Sequence, residues 1–112
     1  METAEYEREA MRTGAAASGA GGWSLAGMGI AGEAGEVCDL LKKHVHHERP
    51  LDVEALKKEL GDVLWYVALA CHLGGFTIDE VMRVGIAKLR ARFPDGWSPA
   101  AAAAKADEAP RG

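Results

Sequence analysis

The sequence predicts an all-α fold, because apolar residues recur at helical spacing, capping and stop signals divide the chain, and no segment alternates polar and apolar residues. The chain has 112 residues, of which 48% are hydrophobic, so one core is possible. A domain of this size leaves much of its surface in water and gains stability from a partner subunit. We therefore expect an antiparallel bundle of about four helices, completed by oligomerisation.

The first half of the chain is predicted to contain two helices separated by a loop. Residues 2–13 are rich in helix-forming side chains, whereas residues 14–22 are small and include no side chain that builds a core. We expect the small-residue stretch to be a flexible loop. Apolar residues then recur at helical spacing from Trp23 to about His47, and Pro50 closes this second helix.

Capping signals define two further helices in the second half of the chain. Asp52 is a cap for a third helix that continues to the glycines at positions 74 and 75. Thr77, with Glu80 three residues later, has the pattern of a capping box. The fourth helix that it opens is expected to end before Pro94, because a residue that precedes proline disfavours the helical conformation.

The domain boundary is predicted near Ser98. Residues 99–112 carry no large apolar side chain, so they cannot contribute to a core, and we expect them to be disordered. The expected organisation is a single helical domain over residues 1–98 and an Ala/Pro-rich tail over residues 99–112.

Composition limits the classes of partner. The formal charge of -4 argues against binding to nucleic acid, which requires a basic surface. The sequence has no apolar run long enough to span a membrane and begins with too many charges for a signal peptide, so we expect a cytoplasmic protein without membrane contact. Cys38 and Cys71 lie in apolar helical segments and are predicted to be core residues rather than a disulfide.

Two pairs of acids on neighbouring helices suggest a metal site. Glu33 and Glu36 lie three residues apart, as do Glu59 and Asp62, and this spacing puts each pair on one helix face, roughly 60° apart. Antiparallel packing of the two helices would bring four mutually repelling carboxylates together. A divalent cation would offset the repulsion, and oxygen ligands favour Mg²⁺ or Mn²⁺ over zinc. Mg²⁺ also binds substrate phosphates, so the predicted substrate is a phosphate ester or anhydride.

Four glycines near the acids suggest that the backbone of the second helix lies close to another group. The glycines at positions 27, 29, 32 and 35 fall within one predicted helix, where each costs about 1 kcal/mol relative to alanine. Such a cost suggests that the backbone there lies close to another helix or to a ligand. Lys43 falls on the same stripe of this helix as the two glutamates, whereas Lys42 points away from them.

The arrangement of the acids resembles a known signature. Glu33-x-x-Glu36, 22 intervening residues and Glu59-x-x-Asp62 are similar to the motif of the all-α nucleoside triphosphate pyrophosphohydrolases, and most similar to the small MazG-like group. The likeness extends from Tyr6 to Trp97 and includes the segments GIAGEAGEV, ELGDVLWYVALA and KLRARFPDGW. It implies a helical bundle that forms dimers or tetramers and a Mg²⁺-assisted attack of water on the α-phosphate of a nucleotide.

The resemblance also implies roles for individual residues. The metal ligands implied are the four acids, Glu33, Glu36, Glu59 and Asp62, and one of the two glutamates of the second helix would also orient the attacking water as a catalytic base. Lys43, Lys88 and Arg92 are expected to contact phosphates, and Trp23 offers a surface on which a base could stack. One position departs from the family pattern, since Gly85 stands where members commonly have asparagine.

Three functions therefore remain open from the sequence. The first is Mg²⁺-dependent hydrolysis of a (deoxy)nucleoside triphosphate to monophosphate and pyrophosphate, which would cleanse the nucleotide pool. The second is a non-catalytic helical module that binds nucleotide or protein, and Gly85 keeps this interpretation open. The third is a structural dimerisation bundle in which the acids pair with lysines on a solvated face.

Overall fold

The computed structural model describes residues 1–108, and this part of the chain is helical without any strand. Its five helices are α1 (Thr3–Met11), α2 (Gly19–His46), α3 (Val53–Gly74), α4 (Ile78–Arg92) and α5 (Pro99–Ala104). The predicted all-α class is confirmed. The described chain separates into two compact units, one over Met1–Ile78 and one that begins at Asp79. The single domain predicted over residues 1–98 stays a prediction.

Helices α2 and α3 form an antiparallel hairpin across the connection 47–52. A Cβ atom placed on Gly22 would lie 3.0 Å from the side chain of Leu73, and one on Gly29 would overlap the ring of Tyr66. Residue numbers thus rise along α2 as they fall along α3, which is the register of an antiparallel pair. The close approach predicted from the glycines is confirmed at Gly29, whereas a Cβ atom at position 27, 32 or 35 would meet open space.

The ends of α3 lie where the capping signals place them. Asp52 Oδ1 accepts a hydrogen bond from the amide of Ala55 at 3.0 Å, which satisfies one of the free donors of the first turn. Gly75 adopts the left-handed conformation, with φ of 73°, and so ends the helix at Gly74. Both ends of this helix could therefore be predicted from local sequence.

Helix α2 begins earlier than predicted. The expected loop 14–22 is helical from Gly19 onward, so the predicted start at Trp23 is wrong. Gly22 is buried and lies against Leu73 of α3, and Ala26 one turn later is buried as well. Packing against α3 outweighs the weak helix propensity of these small residues, which was the only property available from the sequence.

Helix α1 packs on α3 and covers the core of the first unit. The buried residues of this core are Ala10, Ala68, Cys71 and Ile78, with Tyr6, Met11, Trp65 and Val67 packed against them. The indole N–H of Trp65 donates to the carbonyl of Ala10 and lies 3.0 Å from Thr13 Oγ1. The carboxylate of Glu7 accepts a hydrogen bond from the Ile78 amide at 2.9 Å. These bonds fix α1 to α3 and to the first residue of α4.

The two cysteines have different surroundings. Both are free, as predicted, but only Cys71 is buried. The prediction that Cys38 is a core residue is wrong, because it lies on an exposed part of α2 beside Leu41 and Val45. Leu41 and Val45 are exposed as well, and helical spacing alone did not distinguish this face of α2 from the face that packs on α3.

The second unit contains α4 and α5. Helix α5 corrects the prediction of a disordered tail over residues 99–104: Ser98 Oγ accepts from the Ala101 amide at 3.0 Å, and Pro99 occupies the first turn. Both features favour helix initiation, and alanine has the highest helix propensity of all residues. The part of the predicted tail over residues 109–112 lies outside the described residues. Among the described helices, no single one is long and apolar enough to cross a membrane.

Candidate functional site

Three of the predicted acids meet where α2 faces α3. Glu33 of α2 and Glu59 and Asp62 of α3 each offer a carboxylate oxygen within 4.8 Å of the other two. Glu59 and Asp62 share a helix face because they are three residues apart, and the antiparallel register brings Glu33 opposite Asp62. Within residues 1–108 this acidic trio is the one group of three or more acid, histidine or cysteine side chains that are close enough to share a metal ion.

Burial and the neighbouring acids both raise the pKa of Glu33. Partial burial raises the pKa of the Glu33 carboxyl, and the negative charges of Asp62 and Glu59 raise it further. Asp62 and Glu59 therefore make the ionisation of Glu33 less favourable. The donors are all oxygen atoms, and a hard divalent cation both prefers such ligands and removes the repulsion. The residues present thus fit a divalent metal ion.

Tyr6 brings α1 to the edge of the acidic trio. Burial raises the pKa of its phenol, and the charge of Asp62 raises it further, so the hydroxyl stays protonated beside the acids. Its ring packs against the core of the first unit. The sequence analysis assigned no function to Tyr6, because a tyrosine in the charged segment TAEYEREAM gives no local sign that it reaches a site on α3.

Glu36 is not part of the trio and lines a neighbouring cavity of about 410 Å³. Glu59 borders this cavity too, so it belongs both to the trio and to the wall of the cavity. The remaining lining residues come from the end of α2, the connection and the start of α3: Asp39, Leu40, Lys43, His44, Arg49, Pro50, Asp52 and Ala55. The antiparallel register that pairs Glu33 with Asp62 also puts Glu36 opposite Glu59, one turn nearer the connection.

Lys43 lies on the wall of this cavity but is paired with an acid of its own helix. Its ammonium is 2.8 Å from Asp39 Oδ2, and Lys42 lies 3.7 Å from the other oxygen. The hydrogen bond from Lys43, followed by its charge, holds the pKa of the Asp39 carboxyl below its usual range. Asp39 was missed by the sequence analysis, although its spacing of four residues from Lys43 was a signal for such a pair.

The acidic trio and its position between two antiparallel helices can now be compared with known proteins. Residues 25–97 match the MazG nucleotide pyrophosphohydrolase domain. The chain belongs to this family. A similar protein, the Gene 37 protein of Mycobacterium phage L5, is 33% identical over 79 residues, which cover 67% of this chain and 69% of the phage protein. No solved structure matches the chain.

The MazG match includes most of the predicted site residues. All four acids lie inside it, as do Lys43, Lys88 and Arg92. Trp23 lies just before the matched segment, in the first turns of α2, and its side chain is half exposed. An indole exposed in this way is available to a ligand.

Lys88 and Arg92 of the MazG domain belong to the second unit, where their partners are acids that follow α5. Arg92 donates to Asp107 and, at 3.1 Å, to Glu108, and Lys88 lies 4.0 Å from Asp107. The sequence analysis did not predict these pairs. Asp107 and Glu108 lie beyond the matched segment, in the residues that were expected to be disordered.

The histidine cluster at the end of α2 has a structural explanation. The Nδ1–H group of His44 donates to the carbonyl of Arg49 at 2.6 Å and so ties the connection to the helix end. The described residues do not bring His46 or His47 into any group suited to a metal ion. Trp65 and Tyr66 likewise pack inside the first unit, with ring centroids 5.0 Å apart in an edge-to-face arrangement.

Proposed function

We propose that this MazG domain hydrolyses a (deoxy)nucleoside triphosphate to the nucleoside monophosphate and pyrophosphate, and that it thereby removes surplus or non-standard nucleotides from the pool. The observation that carries the proposal is the acidic trio Glu33, Glu59 and Asp62, whose carboxylates lie within 4.8 Å of one another beside an open cavity. The family match over residues 25–97 supports the same reaction class.

The acidic trio and Glu36 are the residues that would hold the metal ion, with Mg²⁺ as the natural occupant and Mn²⁺ as a substitute. The all-oxygen donor set and the mutual repulsion that raises the pKa of Glu33 support a hard divalent cation. When bound, such an ion neutralises the charge of the triphosphate and polarises its α-phosphoryl group.

The protein's own residues would orient the attacking water and accept its proton. In the reaction a water oxygen forms a bond to the α-phosphorus, the bond from this phosphorus to the bridging oxygen breaks, and pyrophosphate leaves with the bonding electrons. Glu33 and Glu36 are the candidates for the base. Glu36 is the better placed of the two, because it borders the cavity next to Glu59, whereas Glu33 does not line the cavity.

Binding of the substrate would use three cations and one aromatic side chain. Lys43 borders the same cavity as Glu36, so its ammonium is within reach of a phosphate once the pair with Asp39 opens. Lys88 and Arg92 would contact further phosphates, and the half-exposed ring of Trp23 would stack on the base.

We propose further that the protein is a homo-oligomer, a dimer or a tetramer. Helix α4 supports this, because five of its large apolar side chains are exposed: Val81, Met82, Val84, Ile86 and Leu89. Several exposed large apolar side chains on one helix favour an interaction site. A second copy of the chain is the simplest partner, since a small domain gains core volume by association.

The test is pyrophosphate release from a panel of canonical and modified nucleoside triphosphates, with and without Mg²⁺. We expect release of pyrophosphate together with monophosphate, and loss of this activity in Glu59→Gln. Glu54→Gln is the matched control, because it removes one carboxylate from the same helix at an exposed position paired with Lys57. Equal activity in wild type and Glu59→Gln would contradict the proposed site.

A non-catalytic module that binds nucleotide or protein is the alternative. Gly85 favours it, because this position lacks the polar side chain common in the family and no neighbouring group lies where one would be. Retained nucleotide binding without any release of pyrophosphate would select this alternative. If Mg²⁺ gave no thermal stabilisation in addition, the acids would be structural charges only.

A further inference from the structure

The acids that follow α5 bind the two cations of α4. Arg92 donates from Nε to Asp107 and from Nη2 to Glu108, and the ammonium of Lys88 lies 4.0 Å from Asp107. The side chain of Asp107 is only 4% exposed, and that of Arg92 is 23% exposed. The nearly buried carboxylate of Asp107 therefore pairs with both cations, and the carboxylate of Glu108 pairs with a second nitrogen of the Arg92 guanidinium.

We propose that Asp107 and Glu108 compete internally with phosphate. In the free protein the two carboxylates bind Lys88 and Arg92, and the polyphosphate chain of a nucleotide displaces them. The proposal rests on the role that the proposed function gives to these two cations. Carboxylates and phosphates are bound by the same donors, since the fork of a guanidinium matches the paired oxygens of either group. A triphosphate carries more charge than two carboxylates and so has the advantage.

The segment that carries the two acids is attached in a way that permits release. Helix α5 has six residues and none of them is fully buried, so little apolar surface is exposed when it is released. Lys105 ends α5 with φ of 48°, a left-handed conformation that is unfavourable for a residue other than glycine. The charged contacts of Asp107 and Glu108 are therefore the main contacts that release would have to replace.

The protonation state of Asp107 agrees with this interpretation. Partial burial alone would raise the pKa of its carboxyl, but the hydrogen bond from Arg92 and the charges of Arg92 and Lys88 lower it below the ordinary value. The carboxylate is thus ionised at neutral pH and competes as an anion. The two acids also lie outside the MazG match of residues 25–97.

The experiment uses the full chain, inorganic triphosphate as the probe and no divalent metal, so that binding is measured without turnover. Wild type is compared with Asp107→Asn/Glu108→Gln and with Glu5→Gln/Asp95→Asn, a control that removes the same number of charges at exposed positions. Calorimetry gives the dissociation constant, and amide NMR signals of residues 101–108 report whether the segment leaves α4.

We expect the first double variant to bind triphosphate about five- to tenfold more tightly than wild type, the shift that follows if the segment is open in about 10–20% of free molecules. The control should bind like wild type. In wild type, triphosphate should move the amide signals of residues 101–108 to the positions seen in the Asp107→Asn/Glu108→Gln protein.

Equal affinities in all three proteins, or amide signals that triphosphate does not change, would overturn the proposal. The result is independent of hydrolysis. If triphosphate displaces the segment but no nucleotide is hydrolysed, the internal competitor stands and the proposed enzymatic function fails. If nucleotides are hydrolysed but removal of the two acids leaves affinity unchanged, the enzymatic function stands and the internal competitor fails.

Discussion

The contacts inside one unit of this chain differ in kind from the contacts inside the other. In Met1–Ile78, α3 packs on α1 and α2, Leu69 is fully buried and Trp65 is hydrogen-bonded to the end of α1. In residues 79–108 no residue is buried as a whole, and the side-chain contacts are ion pairs such as Asp79 with Arg83. The first unit has a core of its own, whereas the second relies on charge and leaves apolar residues uncovered.

This difference makes the first unit the more rigid of the two and the second the more responsive to ligands. The acidic trio lies entirely in the packed unit, so its geometry is maintained by side chains that cannot move without a cost in burial. The cations Lys88 and Arg92 lie in the second unit, where their partners are carboxylates that an anionic ligand could replace. We expect the first unit to determine stability and metal binding, and the second to respond to ligands and to a partner.

The largest effect is expected from the acidic trio. Asp62→Asn should lower the rate of pyrophosphate release by about 100-fold or more, because a bound metal contributes several kcal/mol of charge stabilisation and each 1.4 kcal/mol is about a factor of ten in rate. Asp79→Asn, which removes a carboxylate from the second unit, is the control and should leave the rate within about twofold of wild type. Unchanged turnover in Asp62→Asn would refute the assignment of this acid.

The contrast in packing can be tested with two leucines. Leu69→Ala should lower the free energy of unfolding by about 2–5 kcal/mol, because it opens a cavity in a closed core. Leu89→Ala should cost less than about 1 kcal/mol in dilute protein, because that side chain is 53% exposed on α4. Denaturant unfolding at low and high protein concentration measures both. A large cost for Leu89→Ala that appears only at high concentration would place α4 in an oligomer interface.

Two glycines of α2 sharpen the comparison within the packed unit. Gly29→Ala should destabilise the protein by about 1–3 kcal/mol, because the new methyl group would overlap the Tyr66 ring. Gly32→Ala meets open space in the same helix and should stabilise the protein by about 0.5–1 kcal/mol. Thermal unfolding of the two variants side by side gives the difference, and the same sign for both would contradict the close contact at Gly29.

The smallest effect is the pH dependence contributed by Glu33. Its pKa in the folded protein lies above the ordinary value of 4.5, so the folded state holds this proton more tightly than the unfolded state does. The resulting stabilisation is complete below pH about 4.5 and is lost as pH rises through the higher value of the folded state. Without divalent metal, Glu33→Gln should therefore melt at or above the temperature of wild type at pH 7.

Metal ions should reverse that order. Added Mg²⁺ should raise the melting temperature of wild type at pH 7 more than that of Glu33→Gln, because it binds the folded state through the carboxylate that the variant lacks. Thermal scans with Mg²⁺ and with a chelator, at pH 4.5 and pH 7, supply the four melting temperatures needed for each protein. A similar response of both proteins to Mg²⁺ would show that Glu33 is not a ligand.

The sequence by itself determined the features that depend on neighbours along the chain. Asp52 and Gly75 define the ends of α3 through contacts within one helical turn, and the all-α class follows from the same local periodicity. The spacing of three residues between Glu59 and Asp62 put both on one face before any partner helix was known. Capping and helical phase are local properties, so they could be predicted without tertiary structure.

Tertiary structure alone decided which residues meet from different helices. It brought Glu33 within 4.8 Å of Glu59 and Asp62 and left Glu36 on the cavity wall. It also brought Tyr6 to Asp62, buried Cys71 but not Cys38, and joined Arg92 to Asp107. These outcomes depend on helix rotation and register, which burial and long-range charge determine and which no short segment of sequence contains.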